Sequence, residues 1–286
     1  MIQSMTGFGK ASLQLPTKKI TVEIKSLNSK GLDLNTRMPS VFREMELGLR
    51  NQISQRLERG KVDFSLYVEV TGEETTSKIN VPIIKGYINQ MKAVIPNADE
   101  TELMKMAVRM PDALKTERDE IDENEWKQIQ TVIDEALENI ANFRKDEGAS
   151  LEKEFQLRIG NINNLMTEAV SYDAERVETV KTRLRTALDE LKVNVDENRF
   201  EQELIFYLEK YDITEEKVRL GNHLSYFLET LNGTEANGRK LGFITQEMGR
   251  EINTMGSKSN HTEMQKLVVM MKDELEKIKE QVLNVL

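Results

Sequence analysis

Alternating apolar and polar positions in the first quarter of the chain predict a small β-sheet. The clearest case is the segment 62–70, in which every second residue is apolar. A period of two is typical of a strand with one buried face. The segments 20–28 and 32–38 show shorter stretches of the same alternation and predict two more strands.

One helix is predicted between the second and the third of these strands. Apolar residues recur every four positions from Val41 to Leu57, which is the spacing of a helix that buries one face. We expect Ser40 to cap the start of this helix and Gly60 to end it. The predicted order is therefore strand, strand, helix, strand.

The remainder of the chain has the pattern of long helices. Between residues 123 and 191 only Gly148 and Gly160 interrupt an apolar spacing of three and four, and charged residues fill the other faces. This pattern predicts one long helical hairpin, or two, with coiled-coil packing. Further helices are expected at 81–95, 101–109, 197–211, from 214, at 239–253 and after 262, with a break at residues 256–257.

These elements predict an α+β fold, with a small N-terminal sheet and helix followed by a long helical hairpin and a helical C-terminal region. We divide the chain into an α+β part at residues 1–122, a helical arm at 123–196 and a C-terminal helical part at 197–286. The length of 286 residues agrees with one large domain or two modest ones.

Composition restricts the chemistry that the chain can perform. It contains no cysteine, which excludes disulfides, iron–sulfur clusters and thiol nucleophiles, and its only histidines are His223 and His261. Any metal must therefore be held mainly by carboxylates, which suit Mg²⁺ or Mn²⁺. We find no apolar run long enough to span a membrane and no secretory signal, so we expect a cytoplasmic protein without a membrane partner.

Charge is distributed unevenly along the chain, although the net charge is −9. Residues 1–72 carry a net charge of +4, residues 73–238 carry −14, and residues 239–286 carry +1. The two ends could therefore bind a polyanion while the acidic middle faces water. An acidic, solvated helical arm would explain the middle segment equally well.

Several common motifs are absent from the sequence. It has no GxxxxGK[ST], GxGxxG or GxSxG, so we expect no nucleotide cofactor. It also has no RNP-type aromatic pattern, so the sequence does not support readout of single-stranded RNA by stacking.

The segment GFITQEMGREINTMGSKSN has the highest density of polar groups with a chemical use. Glu247 and Glu251 are four residues apart on one helix face, and either a divalent metal or Arg250 could separate their charges. Lys258 follows in a stretch of small polar residues and could bind phosphate. Ordinary salt bridges at the end of a helix are the alternative interpretation.

Two more polar groups follow helical spacing. Glu216, Arg219 and His223 fall on one face, where the histidine could transfer protons near neutral pH. Glu276 and Glu280 form a second pair of carboxylates at a spacing of four. A structural histidine and an exposed charged helix are the respective alternatives.

Four basic residues stand at element ends or on the helix of the N-terminal part. They suit a surface that follows a nucleic-acid backbone, although scattered surface charge is the alternative. These residues are Arg37, Arg50, Arg59 and Lys61.

Both ends of the chain carry long, unusual strings. They are MIQSMTGFGKA and VEIKSLNSKGLDLNTRMPSVFREMELGLRNQISQRLERGKVDF near the start, and YDITEEKVRLGNHL and KLGFITQEMGREINTMGSKSN near the end. In these strings the chain resembles the YicC/YloC family of bacterial proteins. The resemblance implies a cytoplasmic, divalent-metal-dependent endoribonuclease that assembles as a homo-oligomer, with a hexamer expected, and encloses RNA.

The resemblance also implies roles for residues of this chain. Proton transfer and phosphate chemistry would fall to His223, Glu247, Arg250 and Glu251. A Mn²⁺ or Mg²⁺ ion would be held by Glu247, Glu251, Glu276 and Glu280. RNA would be bound by Arg37, Arg50, Arg59, Lys61, Arg219 and Lys258, so that residues 1–122 guide RNA and residues 197–286 cleave it.

One position departs from the pattern of the family. Where the family usually has aspartate after Ser-Lys-x-Asn, this chain has His261. If that aspartate were a metal ligand, His261 would have to replace it or the metal would bind differently.

Two other functions agree with the same residues. The first is a non-catalytic RNA-binding or adaptor protein that regulates RNA stability, in which the carboxylates only pair with arginine and lysine. The second is a coiled-coil scaffold that binds no nucleic acid. Metal-dependent RNA cleavage distinguishes the enzyme from both.

Overall fold

The computed structural model describes residues 2–71, 78–115, 123–190, 196–233 and 238–286. The strands are β1 (Gly7–Gln14), β2 (Lys18–Leu27), β3 (Leu32–Arg37), β4 (Gly60–Val70), β5 (Lys78–Ile79) and β6 (Leu114–Lys115). The helices are α1 (Glu46–Leu57), α2 (Val81–Val94), α3 (Glu100–Ala107), α4 (Glu123–Ser171), α5 (Asp173–Glu190), α6 (Glu197–Tyr211), α7 (Thr214–Leu231), α8 (Gly238–Lys258) and α9 (Thr262–Val282).

The N-terminal sheet has the strand order β1-β2-β4-β3. Neighbouring strands are antiparallel, except that β3 runs parallel to β4, with α1 in the connection between them. Alternate residues of β2 and β4 are fully buried and pack against α1 and the first half of α4. The opposite face of the sheet carries polar residues and is open. The predicted α+β fold is confirmed.

Strand β1 was not predicted, because its inward face carries almost no large apolar residues. Gly7, Gly9 and Ala11 stand where the pattern would require valine or isoleucine. The reason is the close approach of α4: a Cβ atom on Gly9 would lie 2.2 Å from the Ala136 carbonyl oxygen. Small residues therefore let the helix pack directly on the strand backbone.

The two predicted boundaries of the first helix were wrong. Ser40 begins a short 3₁₀ helix, Ser40–Met45, and makes no capping hydrogen bond, so that α1 starts only at Glu46. Glu58 ends α1, and Gly60 instead opens β4 with a φ of 126°. This left-handed backbone suits glycine, and a Cβ atom here would lie 2.8 Å from Ser26 Oγ.

Helix α4 belongs to two hydrophobic cores at once. Its 49 residues correspond to a length of about 73 Å at 1.5 Å per residue. Apolar residues between Ile129 and Ile140 pack on the sheet, whereas those between Leu151 and Met166 pack with α7, α8 and α9. A break at Tyr172 separates α4 from α5.

The predicted break at residues 256–257 was also wrong, since α8 continues to Lys258. Gly256 lies inside the helix, where a Cβ atom would come within 3.0 Å of Val268 Cγ1 on α9. The glycine therefore permits close helix packing instead of ending the helix.

The N-terminal segment lies between α4 and the last residues of the chain. Ile2 is buried in the C-terminal core, and the Ser4 amide donates to the Arg144 carbonyl at 3.0 Å. The Met5 amide donates to the Asn284 carbonyl at 2.7 Å. The start of the chain is thus part of the C-terminal core as well as the lead into β1.

The Arg144 side chain lies at the junction of the two cores and is 2% exposed. Its guanidinium donates to the carbonyls of Met5 and Arg59 at 3.2 Å each, and to Ser26 Oγ. A third carbonyl, that of Leu57, accepts at 3.4 Å. Within the described ranges it has no carboxylate partner, and its burial lowers the pKa of the guanidinium.

Helices α2 and α3 form a small separate cluster around Ile84 and Ala107. Among the described helices, none is long and apolar enough to cross a membrane. The division at residues 122 and 196 stays a prediction, since 116–122 and 191–195 lie outside the described residues.

Two glycines of α4 provide a matched test of the packing around the N-terminal segment. A Cβ atom on Gly148 would lie 2.1 Å from the Ile2 carbonyl oxygen, whereas one on Gly160 meets nothing within 4 Å. We expect Gly148→Ala to lower the free energy of unfolding by about 1–3 kcal/mol. Gly160→Ala should raise it by up to about 1 kcal/mol, because alanine is the better helix former.

Urea denaturation of both variants and of the unmodified protein measures this difference. Equal stabilisation by the two substitutions would contradict the close contact between Ile2 and α4.

Candidate functional site

The two predicted carboxylates of α8 have different surroundings. Glu247 accepts a hydrogen bond from the Arg250 guanidinium, with 2.7 Å between Nη1 and Oε1. Glu251 is 9% exposed, and its carboxylate has no hydrogen-bond or ion-pair partner in the described part of the chain. Arg250 therefore compensates only one of these two charges.

The two predicted carboxylates of α9 also differ in whether they have a partner. Lys279 Nζ lies 2.7 Å from Glu276 Oε1, whereas Glu280 is exposed and its carboxylate is unpaired among the described residues. Helices α8 and α9 pack closely here, because a Cβ atom on Gly249 would lie 3.6 Å from Lys279 Nζ. Of the two predicted carboxylates on each helix, one is therefore paired and the other has no partner among the described residues.

The described residues of one chain do not form the predicted metal site. No group of three or more histidine, aspartate or glutamate side chains within those ranges is arranged to hold a metal ion. The set Glu247, Glu251, Glu276 and Glu280 is therefore not brought together in a single chain. The donor atoms are of the right kind for Mg²⁺ or Mn²⁺, but their number at any one place is too small.

A buried polar cluster lies where α8 ends. Lys258 Nζ is 2.7 Å from Glu216 Oε1, and Glu216 at the start of α7 is only 5% exposed. The second carboxylate oxygen of Glu216 is buried and accepts no hydrogen bond from the described residues. Lys258 was predicted to bind phosphate, and in this structure its ammonium is held by this carboxylate.

Arg176 joins the surrounding helix ends to this cluster and is 4% exposed. Its guanidinium donates to the carbonyl of Tyr211, which ends α6, and to that of Lys258 at 3.2 Å. Asp173 Oδ1 lies 2.6 Å from its Nη2 atom. Cationic donors at the C-terminal carbonyls of two helices satisfy both hydrogen bonding and the helix dipole.

Two polar side chains accept backbone amides near the starts of the helices that begin at this cluster. Asp212 Oδ1 accepts from both the hydroxyl and the amide of Thr214, and these bonds, with the nearby cations, lower the pKa of Asp212. His261 caps α9 by accepting the Met264 amide at Nδ1, at 3.5 Å, and stacks on Tyr172. Since aspartate and histidine can both accept this bond, the departure at His261 agrees with a capping position.

The residues predicted on one face of α7 are not connected to one another. Arg219 pairs with Glu215 in an exposed ion pair, and Glu216 pairs with Lys258 instead. His223 is half-buried, and its imidazole makes no hydrogen bond within the ranges that the structure describes. It is therefore available for a substrate, although its role stays a prediction.

The four predicted N-terminal cations fall into two groups. The Arg50 guanidinium donates to Glu46, to Thr36 and to the Leu34 carbonyl, on the covered side of the sheet. Arg59 Nε donates to the Ser29 carbonyl at 2.9 Å. Both side chains thus hold loops and strand ends in place.

Arg37 and Lys61 differ, because strand alternation places both on the open face of the sheet. Neither has a hydrogen-bond or ion-pair partner among the residues that the structure describes. Of the four predicted cations, these two are therefore available to bind an anion, as far as the described residues show.

The cluster of polar contacts around Glu274 was not predicted from the sequence. Glu274 on α9 accepts from Arg158 at 3.3 Å and from Asn161 at 2.9 Å on α4, and from Lys277 at 2.8 Å. Burial alone would raise the pKa of Glu274, but the bonds from these three residues outweigh it and lower the pKa to about 2. No local spacing could reveal it, since Asn161 and Glu274 lie 113 positions apart.

Models of protein families match nearly the whole chain. The model described as "Endoribonuclease YicC-like, N-terminal region" matches residues 2–153, and the one described as "Endoribonuclease YicC-like, C-terminal" matches residues 169–286. The sheet with its long helix and the C-terminal helices are thus the two halves of one class of proteins, the YicC-like endoribonucleases.

Two curated relatives are similar to this chain over their full length. A protein of Clostridioides difficile (strain 630) named "Probable endoribonuclease YicC" is 33% identical over 293 residues, which covers 100% of both chains. A protein of the same name from Haemophilus influenzae is 29% identical over 287 residues, or 99% of each chain. The chain therefore belongs to the YicC-like family, as its sequence predicted.

The Glu274 cluster predicts an acid-dependent loss of stability. Because the folded-state pKa of about 2 lies below the ordinary glutamate pKa of 4.5, Glu274 stabilises the fold fully above pH 4.5. This contribution is lost as the pH falls from 4.5 towards 2. At pH 7 we expect Glu274→Gln to lower the free energy of unfolding by about 1.5–3 kcal/mol.

Urea denaturation of both proteins at pH 7 and pH 3 measures the change. The difference between them should shrink at pH 3. Glu276→Gln, which removes an exposed carboxylate paired only with Lys279, should alter stability by less than about 1 kcal/mol at either pH. A difference for Glu274→Gln that does not change with pH would contradict the lowered pKa.

Proposed function

We propose that this protein is an endoribonuclease that cleaves phosphodiester bonds within RNA. The observation that carries the proposal is the match of both family models together with relatives of that name over their full length. The net charge of +4 on residues 1–72 agrees with a polyanionic substrate. RNA cleavage in the cytoplasm would need no membrane segment and no nucleotide cofactor.

Several side chains of the chain suit work on an RNA phosphodiester. Arg250 and Arg219 are held only by exposed ion pairs with neighbouring glutamates, which stabilise a fold by about 1 kcal/mol at most. A phosphate can therefore replace the glutamate as partner of either arginine. His223 has a free imidazole and is our candidate for proton transfer to or from the RNA.

We further propose that activity requires Mn²⁺ or Mg²⁺, which would supply a Lewis acid at the scissile phosphate. The described residues of one chain do not fit such an ion, because no three possible ligands come together. The free carboxylates of Glu251 and Glu280 support a site that a second copy completes. In this arrangement α8 of one copy would face α9 of another.

Assembly into a homo-oligomer, expected to be a hexamer that encloses RNA, has support from the surface of the helices. Several large apolar side chains of α6, α8 and α9 are more than half exposed, and contacts with further copies would bury them. They are Ile205, Phe206, Phe243, Val269 and Met270. Covering them against further copies would bring the carboxylates of different chains together.

Metal dependence is tested by incubating the purified protein with end-labelled RNA. We expect internal cleavage with added Mn²⁺ or Mg²⁺, and none with EDTA. Glu247→Gln and Glu251→Gln should each reduce the rate by at least about a hundredfold if they hold the cation. RNA retention without cleavage under every condition would favour the adaptor protein, and the absence of retention would favour the scaffold.

Sharing of the site between copies is tested by mixing two inactive variants. Glu251→Gln and Glu280→Gln are expected to be inactive alone. Co-expression should restore part of the activity, because an intact carboxylate set then forms where Glu251 of one copy meets Glu280 of the other. Activity that remains absent in the mixture, with both variants assembled as the unmodified protein is, would contradict a shared site.

A further inference from the structure

Two aromatic rings stand on the open face of the N-terminal sheet. Phe8 on β1 is 40% exposed and Tyr67 on β4 is 49% exposed. Both alternate along their strands with residues that face α1 and α4, so both project from the uncovered side. An exposed ring offers a large, rigid apolar surface that a flat ligand can cover.

The strand register fixes how far apart the two rings are. Phe8 lies opposite Lys25 of β2, and Tyr67 lies opposite Thr21 of the same strand. The two aromatic residues are therefore four positions apart along the strands and two strands apart across them. With standard strand spacing this places their Cα atoms about 17 Å from each other. A shallow groove beside Tyr67 crosses β2, β4 and β3 and is lined by Glu23, Lys25, Arg37, Asp63, Ser65 and Tyr67.

Charge on this face favours an extended anion. Lys25 Nζ lies 5.7 Å from the centre of the Phe8 ring, in a cation–π contact that places a positive charge beside the ring. Glu23 is compensated by Lys10 at 2.9 Å and by Lys25 at 3.8 Å. Arg37, beside Ser65 in the register, remains free for a phosphate.

The other acidic residues of the face disfavour a ligand of high charge density, such as a nucleic-acid duplex. Asp33, Asp63 and Glu69 also lie on it, so the surface as a whole is only weakly basic. Duplex nucleic acid carries twice the charge per length of a single strand and offers no exposed base faces. A single strand, whose bases can stack on rings, fits this mixture of aromatic and polar groups better.

A protein partner fits the face less well. The centre of a protein–protein interface is depleted of charged residues. Here the positions around the two rings are lysine, arginine, serine, threonine, asparagine and acidic residues. The exposed apolar area consists of the two rings and of Leu27, which is 58% exposed at the end of β2.

We propose that the open sheet face binds a single-stranded segment of the RNA substrate, with bases stacked on Phe8 and Tyr67 and phosphates bound by Arg37 and Lys61. The proposal rests on the proposed function, because it assigns the strand that the endoribonuclease holds before cleavage. The two rings come from positions 59 residues apart in the chain, which is why no local aromatic motif signals them.

Binding without cleavage is measured by fluorescence anisotropy of labelled oligouridylate RNA with the full-length protein in EDTA. We expect Phe8→Leu and Tyr67→Leu each to weaken binding by about tenfold, because leucine keeps apolar bulk but removes the stacking ring. Tyr67→Phe should bind as the unmodified protein does. Phe143→Leu is the matched control, since Phe143 is 46% exposed on α4, which packs against the covered face of the sheet.

Two further measurements separate stacking from charge. Arg37→Gln should weaken binding and reduce by about one the slope of log affinity against log salt concentration. Duplex RNA of the same length should be a weaker competitor, and at least about ten times more of it should be needed to displace the labelled single strand. Competition equal to that of the single strand would overturn the preference that we propose.

Unchanged affinity in both leucine variants would overturn the proposal, whether or not the protein cleaves RNA. A change of sedimentation coefficient in those variants with unchanged RNA affinity would assign the face to a protein contact, and would overturn it too. Failure of the unmodified protein to cleave any RNA would instead contradict the proposed function, while the tenfold effect on binding would still stand.

Discussion

The burial of the Arg144 guanidinium is the constraint on which the rest of the structure depends. It lies where the sheet core meets the helical core, and it gathers the carbonyls of the N-terminal segment, of the end of α1 and of the turn into β4. Since its described partners are neutral oxygens, the charge is stabilised only while all of them stay in place. The Nε atom of Arg144 already has no hydrogen-bond partner among the described residues. Losing any one of these segments would remove further hydrogen bonds from the buried cation, so the arginine favours their present relative positions.

The polar residues near the C-terminus of α8 also hold several segments together, as Arg144 does, but at a smaller junction. Arg176, Asp212 and His261 satisfy the terminal amides and carbonyls of four helices that meet there. Several residues that resemble the family motifs thus carry a structural task, and this is a sufficient reason for their residue types. Glu251, Glu280, His223 and Arg37 are different, because their polar atoms have no partner in the described part of the chain. These four are where binding or chemistry should be sought.

Periodicity predicted the elements whose burial follows a simple pattern. Helix α6 was predicted with both its ends, and the long segment before it was recognised as helical. Strand β1 was missed because packing against α4 requires glycine there, and glycine carries no hydrophobic signal. Spacing along a helix likewise placed Glu247 and Glu251 on one face, but it could not reveal that Arg250 pairs with one of them. Contacts such as that of Glu274 with Asn161 depend on the tertiary fold and have no local signal.

The length of α4 has a consequence for how the molecule unfolds. Because one continuous helix supplies a side of both cores, neither core can dissolve without exposing half of that helix to water. The remaining half would then keep a frayed end and lose the packing that makes so long a helix stable. The two cores share helix α4 and should therefore unfold together in one cooperative transition, although they are formed by different parts of the chain.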